Sequence, residues 1–505
     1  MKWLRSFRLL FCIFLLAPLA VVAQSAPPKT TPLKTGLQPA APRVGAAQMA
    51  MPRLSASPQT ELDRYVHAPD SHYRYTLEDT EHNTGYTVYV IRMISQQWRT
   101  AADVNQPVWK HWMEIYVPDQ VTSPVGLLYI TGGATSEDHP KPDQAMVEIA
   151  TLTHTVACEL YDVPNQPLTF TNDPYGPRKE DEMIAYTWRK FMETGDASWP
   201  ARLPMTKTAV RAMDTVTSFA ASAEGGSHRV DRFVVMGASK RGWTTWTTAA
   251  VDPRVIAIAP MVIDLLNVVP SFEHHYRSYG FWAPSVGNYY AEHLMDQIDD
   301  TGFKKLMDEV DPYSYRARYT MPKLIITASG DQFFLPDSSQ FYFKDLPGEK
   351  HMLTEANADH SLKGTDVIQS IAAFYQSVVD GTKRPEMHWT LEADGAIRVT
   401  MDRTPLTVKL WQATNPKHRD FRVEAIGHAY TATDLKPEST NVYVARVPKP
   451  AQGWTAYYVE ATFAGDGKYP FKFTSGVRVT PDTEPFTMAP KGKSKLQPEA
   501  EAARY

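Results

Sequence analysis

Three residue types in one order can do chemistry together in this chain: Ser239, Asp331 and His360. A serine hydroxyl becomes a useful nucleophile when a base takes its proton. The base in turn needs an acid to hold its tautomer and orientation. Ser239 sits in Gly237-Ala-Ser-Lys-Arg-Gly242, directly after the apolar run Phe233–Met236 and before a helix-like segment reaching about Ala250. Strand, sharp turn and helix is the setting that lifts a serine clear of its neighbours, and Gly237 and Gly242 supply the small residues such a turn needs. Arg241 stands where a second glycine is usual, and Gly242 comes one place late.

Asp331 follows the apolar run 322–328, and His360 follows the short strand Met352–Thr354. Each has a plainer reading alone: Ser239 as a helix cap, Asp331 as a turn residue, His360 as a surface loop residue. Their joint placement after successive buried strands argues for a Ser-His-Asp triad. Asp264, at the end of the apolar run Val255–Ile263, is the second choice for the acid, and Asp337 is another. The backbone N–H of Lys240 and one near Gly133, in the turn Thr131-Gly-Gly-Ala134, are the expected oxyanion donors. Lys240 and Arg241 are either solvated positions at the helix N-terminus or, in the sharper reading, one of them recognises a substrate carboxylate or polar group beside the scissile carbonyl. Arg241, Trp243 and Trp282 are the candidate substrate-binding residues.

The elements that must position these groups read as strands alternating with helices, which predicts a parallel sheet. Tyr73–Leu77, Thr87–Ile94 and Trp109–Val117 form an antiparallel start, and Val125–Ile130 and Thr155–Leu160 are buried strands. Helices are expected at 144–152, 179–192, 204–223 and 366–379, the third amphipathic. Two insertions, 161–204 and 271–320, should lie over the sheet's end. The second crowds Phe272, Tyr276, Tyr279, Phe281, Trp282, Tyr289 and Tyr290 and reads as a lid. His274 and His275 within it do not suit a metal, because adjacent residues rarely reach one ion and no third ligand follows. From Arg384 short alternating runs (388–391, 397–401, 406–411, 421–425, 440–447, 454–463, 471–479) predict an immunoglobulin-like β-sandwich.

The domain reading is therefore a signal peptide 1–23, a Pro-rich linker 24–58, an α/β-hydrolase domain 59–383, a β-sandwich 384–482 and a loose tail 483–505. Lys2, Arg5 and Arg8, the apolar stretch Leu9–Ala20 and Val21-Val-Ala23 have the form of a cleaved leader. Export to the periplasm or beyond is expected, with no stable membrane span after processing. A net charge of −4 over 505 residues argues against a nucleic-acid partner. Of the two cysteines, Cys12 falls in the leader, so Cys158 has no disulfide partner and reads as a buried small hydrophobe.

The run Gly237-Ala-Ser-Lys-Arg-Gly-Trp243, with Val251-Asp-Pro-Arg-Val255, Pro204-Met-Thr-Lys207 and Arg211-Ala-Met-Asp214, resembles the PhoPQ-activated pathogenicity-related protein family over roughly residues 60–480. The resemblance implies an α/β-hydrolase-like fold, members linked to bacterial virulence, and Ser239, Asp331 and His360 as nucleophile, acid and base. The late glycine is also locally similar to the elbow of glucuronoyl esterases. The expected activity is that of an exported, carboxylesterase-like serine hydrolase without cofactor or metal, acting on a small-molecule, carbohydrate-ester or peptide substrate. A secreted peptidase with the same triad and a non-catalytic binding or signalling protein are the alternatives.

Overall fold

Alternation along the parallel strands divides the core into two layers, one on each face of a large sheet. The computed structural model describes residues 59–135 and 138–497. The expected leader, the linker 24–58 and the last residues of the tail lie outside the described residues. Strands β1 (Arg74–Asn83), β2 (Tyr86–Gln97) and β3 (Val108–Pro118) form an antiparallel meander. They are followed by β4 (Val125–Ile130), β5 (Ala157–Leu160), β6 (Arg232–Ala238), β7 (Val255–Met261), β8 (Lys323–Ala328) and β9 (Lys350–Glu355). The spatial order is β1-β2-β3-β5-β4-β6-β7-β8-β9. β3 runs antiparallel to β5, and from β5 to β9 every neighbour is parallel.

Buried on both faces, these strands are apolar at nearly every position, as parallel sheets require. Leu128, Val235, Ile258 and Ile325 point to one layer. Leu127, Val234, Ala257 and Leu324 point to the other. Cys158 belongs to the first layer and is fully buried, and burial pushes its thiol pKa well up, so it acts as a hydrophobe.

Helices cover both faces: α1 (Glu61–His67), α2 (Gln144–Thr153), α3 (Glu180–Thr194), α4 (Arg202–Ala221), α5 (Lys240–Val251), α6 (Val268–Tyr279), α7 (Thr301–Val310) and α8 (Val367–Asp380). α4 differs from the amphipathic helix expected at 204–223. It is buried from Arg202 to Met213, because α1, α5 and β2 pack around it. A helix enclosed on all sides has no solvent face for a polar stripe to mark.

The largest departure lies after residue 384. The strands there are β10 (Met387–Leu391), β11 (Ile397–Met401), β12 (Thr407–Asn415), β13 (Thr431–Asp434), β14 (Pro437–Ser439), β15 (Val442–Ala445), β16 (Trp454–Phe463), β17 (Phe471–Thr474) and β18 (Arg478–Thr480). They do not form a detached sandwich. β17 pairs antiparallel with β9 at Met352↔Thr474, and β16, β12 and β13 continue outward, with β18 on β16, so the sheet has 14 strands. A four-stranded sheet, β10-β11-β15-β14, contributes Ile397, Val399 and Tyr443 to the layer that holds Ile326 and Leu353. The boundary expected at 383/384 is thus crossed by both backbone pairing and a common core, and the described residues form one compact unit. Alternation marks a strand but not the edge on which it docks. Left bare, β9 would present an unpaired edge, which folded proteins cover. The strand expected at 421–425 is instead a helical turn, Val423–Ile426.

Candidate functional site

Ser239 stands between β6 and α5 with φ 55° and ψ −122°. An L-residue reaches that region only at a cost of about 1–3 kcal/mol, and only where its surroundings hold it there. The surroundings are specific. Ser239 N–H donates to the Met261 carbonyl at 2.8 Å, and its own carbonyl accepts from Trp243 N–H at 3.0 Å. A Cβ on Gly237 would lie 2.6 Å from the Arg241 carbonyl oxygen, and one on Gly242 would lie 2.9 Å from that of Met261. The displaced glycine therefore serves the contact of α5 with β7, one step beyond the turn itself. α5 is rich in β-branched threonine, a poor helix former. Burial compensates: Thr244 and Thr245 return their hydroxyls to the carbonyls of Lys240 and Arg241 at 3.1 and 2.9 Å.

Asp331 and His360 are brought together by the loops after β8 and β9. His360 Nδ1 lies 2.8 Å from Asp331 Oδ2 and 3.0 Å from Oδ1. Phe333 N–H donates to Asp331 Oδ1 at 2.7 Å, and Gln332 Oε1 accepts from His360 N–H at 3.0 Å, so each loop fixes the other. The His360 ring lies against Phe333, tilted by 39° with centroids 4.3 Å apart, and 5.9 Å from Phe334. His360 Nε2 is buried and has no hydrogen-bond partner among the described residues.

Asp264, the alternative acid, bonds Tyr342 instead, the phenol donating at 2.6 Å. Burial first, then the fields of Asp331 and Asp337, pushes Asp264 up to about 8, so it is largely protonated at neutral pH. Asp337 is engaged elsewhere, with buried Arg419 at 2.6 Å and His274 at 3.0 Å.

The turn after β4 reaches the same end of the sheet. Gly133 has φ +133°, and a Cβ there would collide with the Asp162 carboxylate. At Gly132 a Cβ would lie 2.7 Å from Arg241 Nη2, so this turn and the residue two after Ser239 touch. Arg241 is held internally. Its guanidinium forks onto Glu180 at 2.8 and 2.6 Å, and Nε donates to the Val163 carbonyl at 2.5 Å. Against burial, which raises it, Arg241 and Lys240 hold Glu180 down to about 2. Lys240 Nζ pairs with Asp181 at 2.6 Å. Both cations behind Ser239 thus carry carboxylates from the start of α3.

A narrow cavity of about 20 Å³ opens beside Ser239, walled by Trp188, Trp243, Phe272, Tyr289, Phe333 and Phe334. Asp181, Arg202 and Lys240 also line it. Phe272, Val286 and Tyr289, from the insertion expected to act as a lid, line this cavity with Ser239. Of the candidate tryptophans, Trp243 lines the cavity. Trp282 does not: its ring is enclosed by Phe272 and Tyr276, and its backbone N–H donates to the Lys495 carbonyl. Sequence reasoning missed Arg202, Glu180, Asp181 and the Phe333-Phe334 pair. Proximity to the motifs is a signal for Arg202, two residues before Pro204, and for Phe333-Phe334, two and three residues after Asp331; Glu180 and Asp181 carry no such signal.

The fold and site define a mixed α/β protein with a large central sheet, carrying a serine in a strained strand-to-helix turn where its parallel strands end. The chain belongs to the PhoPQ-activated pathogenicity-related protein family, whose model matches residues 62–422. It is 39% identical over 459 residues to autocrine proliferation repressor protein A of Dictyostelium discoideum, a match spanning 85% of this chain and 92% of that one. Among solved structures, an acetyl xylan esterase from Paenibacillus sp. R4 matches with TM-score 0.46 and 15% identity, covering 65% of this chain and 97% of that one. An acylaminoacyl peptidase from Pyrococcus horikoshii matches with TM-score 0.37 and 13% identity, covering 60% of this chain and 50% of that one.

Proposed function

We propose that the protein is an exported serine hydrolase on an α/β-hydrolase scaffold, cleaving an ester or amide. The observation that carries this reading is the strained backbone of Ser239 at the same sheet end as the Asp331–His360 pair. Strain of that kind needs a purpose, and presenting a nucleophile is the one the surroundings fit. In this reading Ser239 Oγ attacks the carbonyl carbon, and His360 Nε2 takes the proton and later returns it to the leaving group. Asp331 holds the imidazole through Nδ1. The Lys240 N–H at the start of α5 and the Gly133 turn receive the oxyanion. Phe333 and Phe334 lie against the His360 ring and also line the cavity beside Ser239, which supports this reading.

Labelling with a fluorophosphonate probe tests the proposal. Wild type is expected to label, and Ser239→Ala and His360→Ala are expected not to. Esterase and peptidase chemistry use the same groups and separate by turnover of acyl esters against aminoacyl arylamides. The Dictyostelium relative, an autocrine proliferation repressor by name, favours a second reading, a secreted regulator of proliferation that keeps the scaffold without catalysis. Folded wild type that fails to label would select it.

A further inference from the structure

The charges behind Ser239 do not balance. Arg202, Lys240 and Arg241 face two carboxylates, Glu180 and Asp181, and both of these are taken: Glu180 by the Arg241 fork, Asp181 by Lys240 Nζ and the Tyr289 hydroxyl. Arg202 is left over. It is 2% exposed, its Nη1 donates to the Lys240 carbonyl at 3.0 Å, and its guanidinium lies on the Trp243 ring 4.3 Å from the centroid. Its Nε has no partner, and no carboxylate stands within ion-pair distance of it among the described residues.

The other buried arginines are treated differently. Arg178 pairs with Asp173 and Glu292, Arg211 with Asp214, Arg384 with Glu349, Arg419 with Asp337 and Arg422 with Asp420. Burial pulls the Arg202 pKa down. At Arg422 burial pulls the same way, and Asp420 more than offsets it. A guanidinium taken out of water without a counter-ion is costly, and proteins seldom keep one without a use. Arg202 lines the cavity that holds Ser239.

We propose that Arg202 is the anion-binding residue of this site, and that the substrate is an ester or amide carrying a carboxylate a few atoms from the scissile carbonyl. This rests on the hydrolase reading above. The fork of an arginine suits a planar carboxylate, and an apolar, water-poor wall strengthens the pair. The cavity is small and aromatic, so the arm between carbonyl and carboxylate is short, of malonyl or succinyl length. The role foreseen for Arg241 passes to Arg202, because Glu180 pairs with the former, whereas the latter has only the Tyr289 hydroxyl and the more distant field of Asp181.

Binding to the full-length Ser239→Ala protein tests the anion site without requiring turnover. Titration calorimetry with malonate and succinate is compared with dimethyl succinate. The dicarboxylates are expected to bind at least tenfold more tightly than the diester. Arg202→Met on that background is expected to remove the difference while the thermal midpoint holds or rises, since an unpaired buried charge is gone. A merely structural arginine would lower the midpoint instead. Should the methionine variant fail to fold, Arg202→Lys retains the charge without the fork and is expected to weaken dicarboxylate binding about tenfold. Equal binding of dicarboxylate and diester, or dicarboxylate binding indifferent to both substitutions, would overturn the proposal. Wild type that labels with fluorophosphonate while Ser239→Ala ignores dicarboxylates sinks the anion site alone. Dicarboxylate binding by a protein that never labels keeps the anion site and sinks the hydrolase.

Discussion

At the scale of single residues, the choice of acid turns on one hydrogen bond. Asp331 and Asp264 both follow buried strands, and only the folded loops show that His360 Nδ1 meets Asp331. Asp331→Asn forces the wrong imidazole tautomer, and its fluorophosphonate labelling rate is expected to fall by roughly 10³–10⁴. Asp264→Asn removes a carboxyl that is already largely neutral, so its labelling rate should stay within about tenfold of wild type. Reversed magnitudes would move the acid to Asp264.

At the scale of the element, the strand–turn–helix unit depends on close backbone approach as much as on the serine. Gly242→Ala places a methyl 2.9 Å from the Met261 oxygen and the Ile263 side chain, both parts of the rigid strand-and-turn end of β7. Overpacking of this kind costs about 1–3 kcal/mol. A lower thermal midpoint together with slower labelling is expected, because α5 cannot retreat without moving Lys240 N–H. Normal labelling in a destabilised protein would show that the helix position and the oxyanion donor are independent.

At the scale of the molecule, the C-terminal segment braces the loops that carry Asp331 and His360. Asn357, three residues before His360 and at φ 57°, exchanges two hydrogen bonds with the Tyr430 backbone, each 2.9 Å. Val423 N–H donates to the Gly330 carbonyl at 3.0 Å, beside Asp331. Asn357→Ala is expected to cost about 1–3 kcal/mol and to slow labelling, though its side chain bonds neither Ser239 nor His360. Stability also depends on pH through Glu114 and Glu159, which sit opposite one another on β3 and β5. Burial foremost pushes Glu159 up to about 8, from an ordinary 4.5. Between those values the folded chain holds a proton that the unfolded chain has lost, so this group's contribution falls as pH rises, by up to about 1.4 kcal/mol per pH unit. Relative to wild type, Glu159→Gln should gain thermal stability from pH 4.5 to 8 and level off beyond. A constant difference across that range would refute the coupling.

The sequence by itself determined the parallel strands, the turn that bears Ser239 and the order of Ser, Asp and His. Each of these is encoded locally: by unbroken apolar runs on strands covered on both faces, by small residues where backbones touch, and by position after a strand. Strand boundaries at 125–130, 397–401 and 454–463 agree with the structure to the residue. Tertiary structure alone decided which charges cancel, since Glu180 and Arg241 are distant in the chain and meet only across the fold. It likewise decided that Arg202 is buried without a counter-ion, which sixteen buried residues of one continuous helix conceal from any periodicity. It placed the C-terminal strands on the open edge of β9, because an alternating strand carries its two faces in its sequence and its pairing partner nowhere in it.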